Sequence, residues 1–213
     1  MSDSAASNTE DGSLRRLFEL CGVAPLGVYT LVHVGSYATV LFGGTGFGAP
    51  NFRGAQAILE VLLVWLPWSF HALLGLWFSS FPLPSAGSER RRVALSRISA
   101  VLGLGFVIWH VLWLRAPIWN RTRITEDLSE MLIGGLSETW NGVPVAAAAH
   151  LVGLGLIACH LGLGLPRFFA RRELLSKRSA QRLAWWISLG LFGIGAATVL
   201  ELATGDFPPH FMH

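Results

Sequence analysis

The sequence predicts an all-α membrane protein of five transmembrane helices. Three observations predict it. Of 213 residues, 52% are hydrophobic and only 14% charged, where a soluble domain carries about a quarter charged residues. The mean hydropathy is +0.51. The apolar residues also gather into five runs, each near or beyond the ~20 residues that cross ~30 Å of hydrocarbon. The runs lack strand alternation and are far longer than barrel strands. The chain reads as one bilayer-embedded domain, residues 14–204, between an N-terminal tail at 1–13 and a short outer tail at 205–213.

The first segment, Met1 to Ser13, is polar, with Asp3, Glu10 and Asp11. It has no basic stretch followed by a short apolar core, so a disordered cytoplasmic tail is expected rather than a cleaved signal. Span one runs from Cys21 to Phe42 and span two from Gln56 to Phe81. Pro67 removes one backbone hydrogen bond from span two and is expected to bend it. Span three, Ile98 to Leu114, is the shortest and is expected to begin earlier, near Val93. In the long loop from Ala116 to Val143, Leu128, Met131, Leu132 and Leu136 recur at helical spacing. Asp127 and Glu130 are placed as a capping box, so a short interfacial helix is expected. Span four is Pro144 to Leu165 and span five Leu183 to Thr204. Trp113, Trp119 and Trp140 fit an outer aromatic belt, and Trp185 and Trp186 an inner one.

Charge sets the orientation. Arg15 and Arg16 precede span one; Arg90, Arg91, Arg92 and Arg97 lie between spans two and three; Arg167, Arg171, Arg172, Lys177, Arg178 and Arg182 lie between spans four and five. The opposite side holds Arg53, Arg115, Arg121 and Arg123. Lys and Arg mark the cytoplasmic loops, which puts the N-terminus inside and the C-terminus outside. The net charge of +3 is therefore a topology signal and not a nucleic-acid surface. Cys21 and Cys159, the two cysteines, sit in or near spans and are expected as free thiols.

A histidine inside an apolar span is costly and asks for a partner. His33 lies in span one, His71 in span two, His110 in span three, and His150 and His160 in span four; His210 and His213 are in the tail. Metal ligation is the chemistry that calls for this pattern. A haem iron held on both faces takes one neutral imidazole from each of two facing helices. With about 1.5 Å per residue, His160 lies about 10 Å from the arginine-rich end, His71 about 15 Å, and His33 and His110 about 18–20 Å. These depths favour His71 with His160 and His33 with His110, and so two haems. No C-x-x-C-H is present, so neither would be covalently attached. Gly75 and Gly164 follow His71 and His160 by four residues, and Gly103 precedes His110 by seven. Each offers bare backbone beside a histidine for a flat macrocycle, although glycines also serve close helix packing.

Four segments carry a family resemblance. R-R-L-F-E-L-C-G-V-A-P-L-G before His33, L-E-V-L-L-V-W-L-P-W-S-F-H-A around His71, F-V-I-W-H-V around His110 and A-Q-R-L before span five resemble the single-subunit, five-helix cytochrome b of succinate:menaquinone oxidoreductases. The resemblance runs from Leu14 to about Leu200. It implies a haem-binding bundle with two haem b groups. The one nearer the cytoplasm would be held by His71 and His160, and the distal one by His33 and His110. It further implies electron transfer between a cytoplasmic flavoprotein with its iron–sulfur subunit and menaquinone in the membrane. The setting would be a bacterial cytoplasmic membrane, with higher oligomers of the complex allowed. Succinate chemistry would belong to the partner subunits, so no catalytic residue is expected here. Two other classes stay open: a cytochrome b of another quinone-linked complex, such as a hydrogenase or formate dehydrogenase, and a haem-free transporter with a histidine relay.

Four more polar residues are candidates. Glu60, in the outer turns of span two, could exchange protons with a quinone or simply reach the interface. Arg97 and Arg182 begin spans three and five; each could meet a haem propionate or mark the inner boundary. His150, about 15 Å along the axis from His160 and ~80° off its face, cannot share that haem. It is expected near the outer surface, against a distal-haem propionate, the quinone, or the interface alone.

Overall fold

The computed structural model describes residues 3–42, 55–84, 87–120 and 128–204. Expectations resting on Arg53, Arg121, Arg123, Asp127, His210 and His213 fall outside them, as do the side chains of Arg115, Trp119 and Glu130. Five helical stretches among the described residues are long and apolar enough to cross a membrane, and no strand occurs among them.

Span one is α1 (Asp3–Cys21), a wide π-helical turn (Gly22–Gly27), α2 (Val28–Tyr37) and a closing 3₁₀ turn (Ala38–Phe42). Residues 3–13, expected as a disordered tail, carry helical backbone continuous with the first span. Once Leu14–Cys21 has nucleated a helix, each further residue propagates it at little cost. Span two is α3 (Ala55–Glu60), a second π-helical turn (Val61–Trp65) and α4 (Leu66–Ser79). Each wide turn has a proline in or just after it, Pro25 within the first and Pro67 one residue past the start of α4. A proline cannot bond the carbonyl four residues back and its ring crowds that carbonyl, so the ladder widens there.

Span three, α5, runs from Gly87 to Asn120, well beyond the apolar run at both ends. Arg90–Arg92 end the hydrophobic pattern but are good helix formers, so the helix continues past the hydrocarbon. The loop helix is present as α6 (Leu128–Ser137). Leu132 and Leu136 are buried, and Leu136 packs with Val40, Ala147, Val199 and Leu202 in the outer core. α6 thus caps the bundle rather than lying in the lipid interface. Asn141 and Gly142, both at positive φ, make the tight turn into α7, closed by paired bonds between Trp140 and Val143.

Span four, α7 (Val145–Arg171), and span five, α8 (Lys177–Thr204), form the most closely packed pair. Small residues allow it: Ala180, Ala184 and Ser188 on α8 are almost fully buried, and Ser188 lies against Gly162. α7 ends in a Schellman-type cap, with Glu173 bonding Ala170 and Leu174 bonding Phe169. Ser176 then caps α8 through Ser179 N–H. α5 and α7 are antiparallel: Phe106 meets Gly153, Ser96 meets His160 and Glu89 meets Arg167. A side chain on Gly153 would run into the Phe106 ring. Neighbouring spans touch in chain order, and α8 returns to α2, so the five spans close around an interior. Cys21 and Cys159 are free thiols.

Candidate functional site

The interior holds two histidine pairs. His71 on α4 and His160 on α7 have ring centroids 6.1 Å apart at an interplanar angle of 77°. His33 on α2 and His110 on α5 are also 6.1 Å apart, at 88°. The helices that meet are the second with the fourth and the first with the third. His71 and His160 form the inner pair, nearer the arginine-rich end; His33 and His110 form the outer one.

The spacing fits axial ligation. Metal–imidazole bonds of about 2 Å on each side, with the offset to each ring centre, put two axial imidazoles about 6 Å apart. Among the described residues no three His, Cys, Asp or Glu side chains close on a common point, as a bare metal ion would require. Histidines that come in twos suit a metal whose remaining ligands arrive with a macrocycle. An added Cβ at Gly103, which is buried, or at Gly164 would meet no atom within 4 Å. Both leave room beside a histidine helix. Gly75 differs, because its missing side chain is replaced by the Phe18 ring, 3.4 Å from where its Cβ would stand.

The inner pair is oriented by backbone carbonyls. His71 Nδ1 lies 3.0 Å from the Phe18 carbonyl, and His160 Nδ1 lies 3.3 Å from that of Ser96. A carbonyl can only accept, so each Nδ1 carries the proton and donates, and each Nε2 keeps its lone pair. This is the arrangement that readies an imidazole to bind metal. Phe18 also stacks on His71 with centroids 4.3 Å apart and planes 4° from parallel. Gly22 completes the slot, since a Cβ there would stand 2.7 Å from His71 Nδ1.

The outer pair is braced by side chains. His33 stands between Tyr29, stacked at 5.4 Å, and Tyr37, edge-on at 5.0 Å; these are the two tyrosines of the sequence. His110 Nδ1 is 3.0 Å from His150 Nε2, and His150 Nδ1 is 2.7 Å from the Ala146 carbonyl. His150 is buried, with Phe106, Trp109 and Trp113 at ring distances of 5.7, 5.1 and 5.2 Å. Its ring is therefore turned into the bundle and not toward lipid, and its hydrogen-bond partners are His110 and the Ala146 carbonyl. Trp113 covers this pocket, beneath Gly135 of α6, rather than joining the outer belt. Trp140 and Trp186 are widely exposed, as belt residues should be.

The remaining candidates are spread out. Glu60 accepts from Trp65 Nε1 at 2.9 Å, across the wide turn of span two. Arg97 donates to the carbonyls of Phe78, Ser79 and Phe81 at 3.2, 3.1 and 2.7 Å. It thereby caps the C-terminus of α4, where a cation complements the helix dipole. Arg182 is exposed near the start of α8. At the same end Arg171 pairs with Glu19, and Arg167 pairs with Glu89 at 2.9 Å. Sequence reasoning missed Phe18 and Ser96, which act through their carbonyls, and the two tyrosines four residues either side of His33. Only the tyrosine spacing was there to be read.

This chain is similar to the succinate dehydrogenase cytochrome b558 subunit of Bacillus subtilis (strain 168). The two are 25% identical over 194 residues, which covers 87% of this chain and 92% of that one. No family model matches the chain, and no solved structure matches it. The likeness covers most of both chains. It supports the resemblance that the four sequence segments carry.

Proposed function

We propose that this chain is the membrane-anchor cytochrome b subunit of a succinate:quinone oxidoreductase. It passes electrons between a cytoplasmic flavoprotein and iron–sulfur pair and a quinone of the menaquinone type. The observation that carries this reading is the pair of 6.1 Å histidine couples; the relative's name supports it. His71 and His160 would hold the haem b nearer the cytoplasm, and His33 and His110 the distal one. Haem bound at each pair would supply a one-electron redox centre.

The rest is the work of the protein. The carbonyls of Phe18 and Ser96 fix the tautomers of His71 and His160. The lipid-facing apolar surface keeps the centres dry. The arginine-rich end faces the cytoplasm and offers a basic surface to the soluble subunits. Arg97 caps α4 and adjoins Ser96, whose carbonyl meets His160, whereas Arg182 is exposed on the side of α8 away from the buried Ala180 and Ala184; Arg97 is the better placed of the two for a propionate. Glu60, held by Trp65, is the carboxylate nearest the outer end of span two and suits proton exchange with quinone.

A reduced-minus-oxidised spectrum of membranes containing the full complex, with succinate as donor, tests this. Two haem b components are expected. A spectrum without haem would leave the histidine-relay transporter. Haem without a copurifying flavin subunit would leave a cytochrome b of another quinone-linked complex.

A further inference from the structure

The four paired histidines do not share one kind of support. His71 and His160 donate Nδ1–H to backbone carbonyls, whereas His110 faces the ring of His150. The direction of that bond follows from its far end. The Ala146 carbonyl accepts only, so His150 Nδ1 carries a proton and donates to it across 2.7 Å. In the neutral ring, Nε2 is then a bare acceptor. His110 Nδ1 must therefore donate to it, and His110 Nε2 keeps its lone pair. One backbone carbonyl thus sets the tautomers of two histidines in series.

The surroundings strengthen the chain. Phe106, Trp109, His110 and Trp113 recur on one face of α5, and the three aromatic side chains flank the buried His150 ring. Hydrogen bonds in such an apolar enclosure polarise one another. An imidazole nitrogen already polarised by a carbonyl pulls the His110 proton and makes Nε2 a stronger electron donor.

We propose that His150 is a positioning residue for the outer centre: by accepting from His110 Nδ1 it fixes the metal-facing nitrogen of His110 and raises its donor strength. This rests on the haem reading given above. A stronger donor favours the oxidised iron, so losing the bond raises the potential of the outer haem alone. Because the acceptor is a side chain, this potential can be set by sequence, which a backbone carbonyl does not allow.

The test uses the full complex in membranes, with the wild type, His150→Ala, His150→Gln and His110→Ala, and measures haem per protein together with a redox titration of each haem band. His110→Ala identifies the outer component by its loss. His150→Ala is expected to move that component to higher potential and to weaken its retention about 10–100-fold, the usual cost of losing such a partner. The inner component stays in place. His150→Gln presents a carbonyl oxygen near the position of Nε2 and is expected to restore most of the wild-type potential. The proposal is overturned if His150→Ala leaves both components in place, if both move together, or if Gln behaves as Ala does. A wild type without haem would instead overturn the functional reading itself.

Discussion

The inner and outer histidine pairs have the same separation and opposite styles of support. The inner pair is hydrogen-bonded to main chain, through two carbonyls, beside a parallel phenylalanine ring and a glycine that clears the slot. The outer pair is held by side chains: two tyrosines around His33 and a third histidine behind His110. A main-chain brace is indifferent to substitution of the residue that supplies it, provided the helix stays in place. A side-chain brace is lost with one residue. The hydrogen bonds of the inner pair are therefore set by helix position, and that of His110 by residue identity.

That contrast can be broken by experiment. The largest effect is expected from His160→Ala or His71→Ala, each of which should remove the inner haem and spare at least part of the outer one; haem content and the split of the spectral bands check it. Loss of only the outer band would refute the pairing. Gly22→Ala comes next. Its new methyl would stand 2.5 Å from His71 Cε1, and such overpacking costs about 1–3 kcal/mol. Weakened retention of the inner haem, with the outer one intact, is the expected result on titration with a haem scavenger.

Phe18→Leu is milder, because it removes the parallel ring but keeps the carbonyl. About 1 kcal/mol of ring interaction is lost, and the inner potential should move less than the outer one does in His150→Ala. The smallest effect is expected from Glu89→Gln, which breaks the surface pair with Arg167. Such pairs contribute up to about 1 kcal/mol, so unfolding in detergent should shift slightly and neither haem band should change.

Much of this was legible in the sequence. Long apolar runs and alternating basic loops carry the five spans, because hydrophobic length and charge placement are what a bilayer selects. The four paired histidines were legible because polar groups in lipid stand out. The limits of α5 were not, since Arg90–Arg92 mark the edge of the hydrocarbon and not the end of the helix. Nor was the partner of His150. Counting residues gives depth, but the angle around the helix axis decides which neighbour a ring meets. Phe18 and Ser96 were hidden for a simpler reason, as any residue type can supply a carbonyl.

The wide turn at Gly22–Gly27 lies between the two ends of span one. Phe18 and Gly22 serve the inner centre, and His33, further along, serves the outer one. A π-helical turn takes in an extra residue, and one residue is about 100° of rotation around a helix. The turn thus takes up that rotation between the two halves of span one. Removing one residue there would close the turn to regular α-helix and keep Phe18 and His33 in their present phase. Removing one from the regular helix between the turn and His33 would instead rotate His33 by about 100° away from His110, so the wide turn is the one place in span one where length can change without resetting the angle at which the helix addresses both pairs.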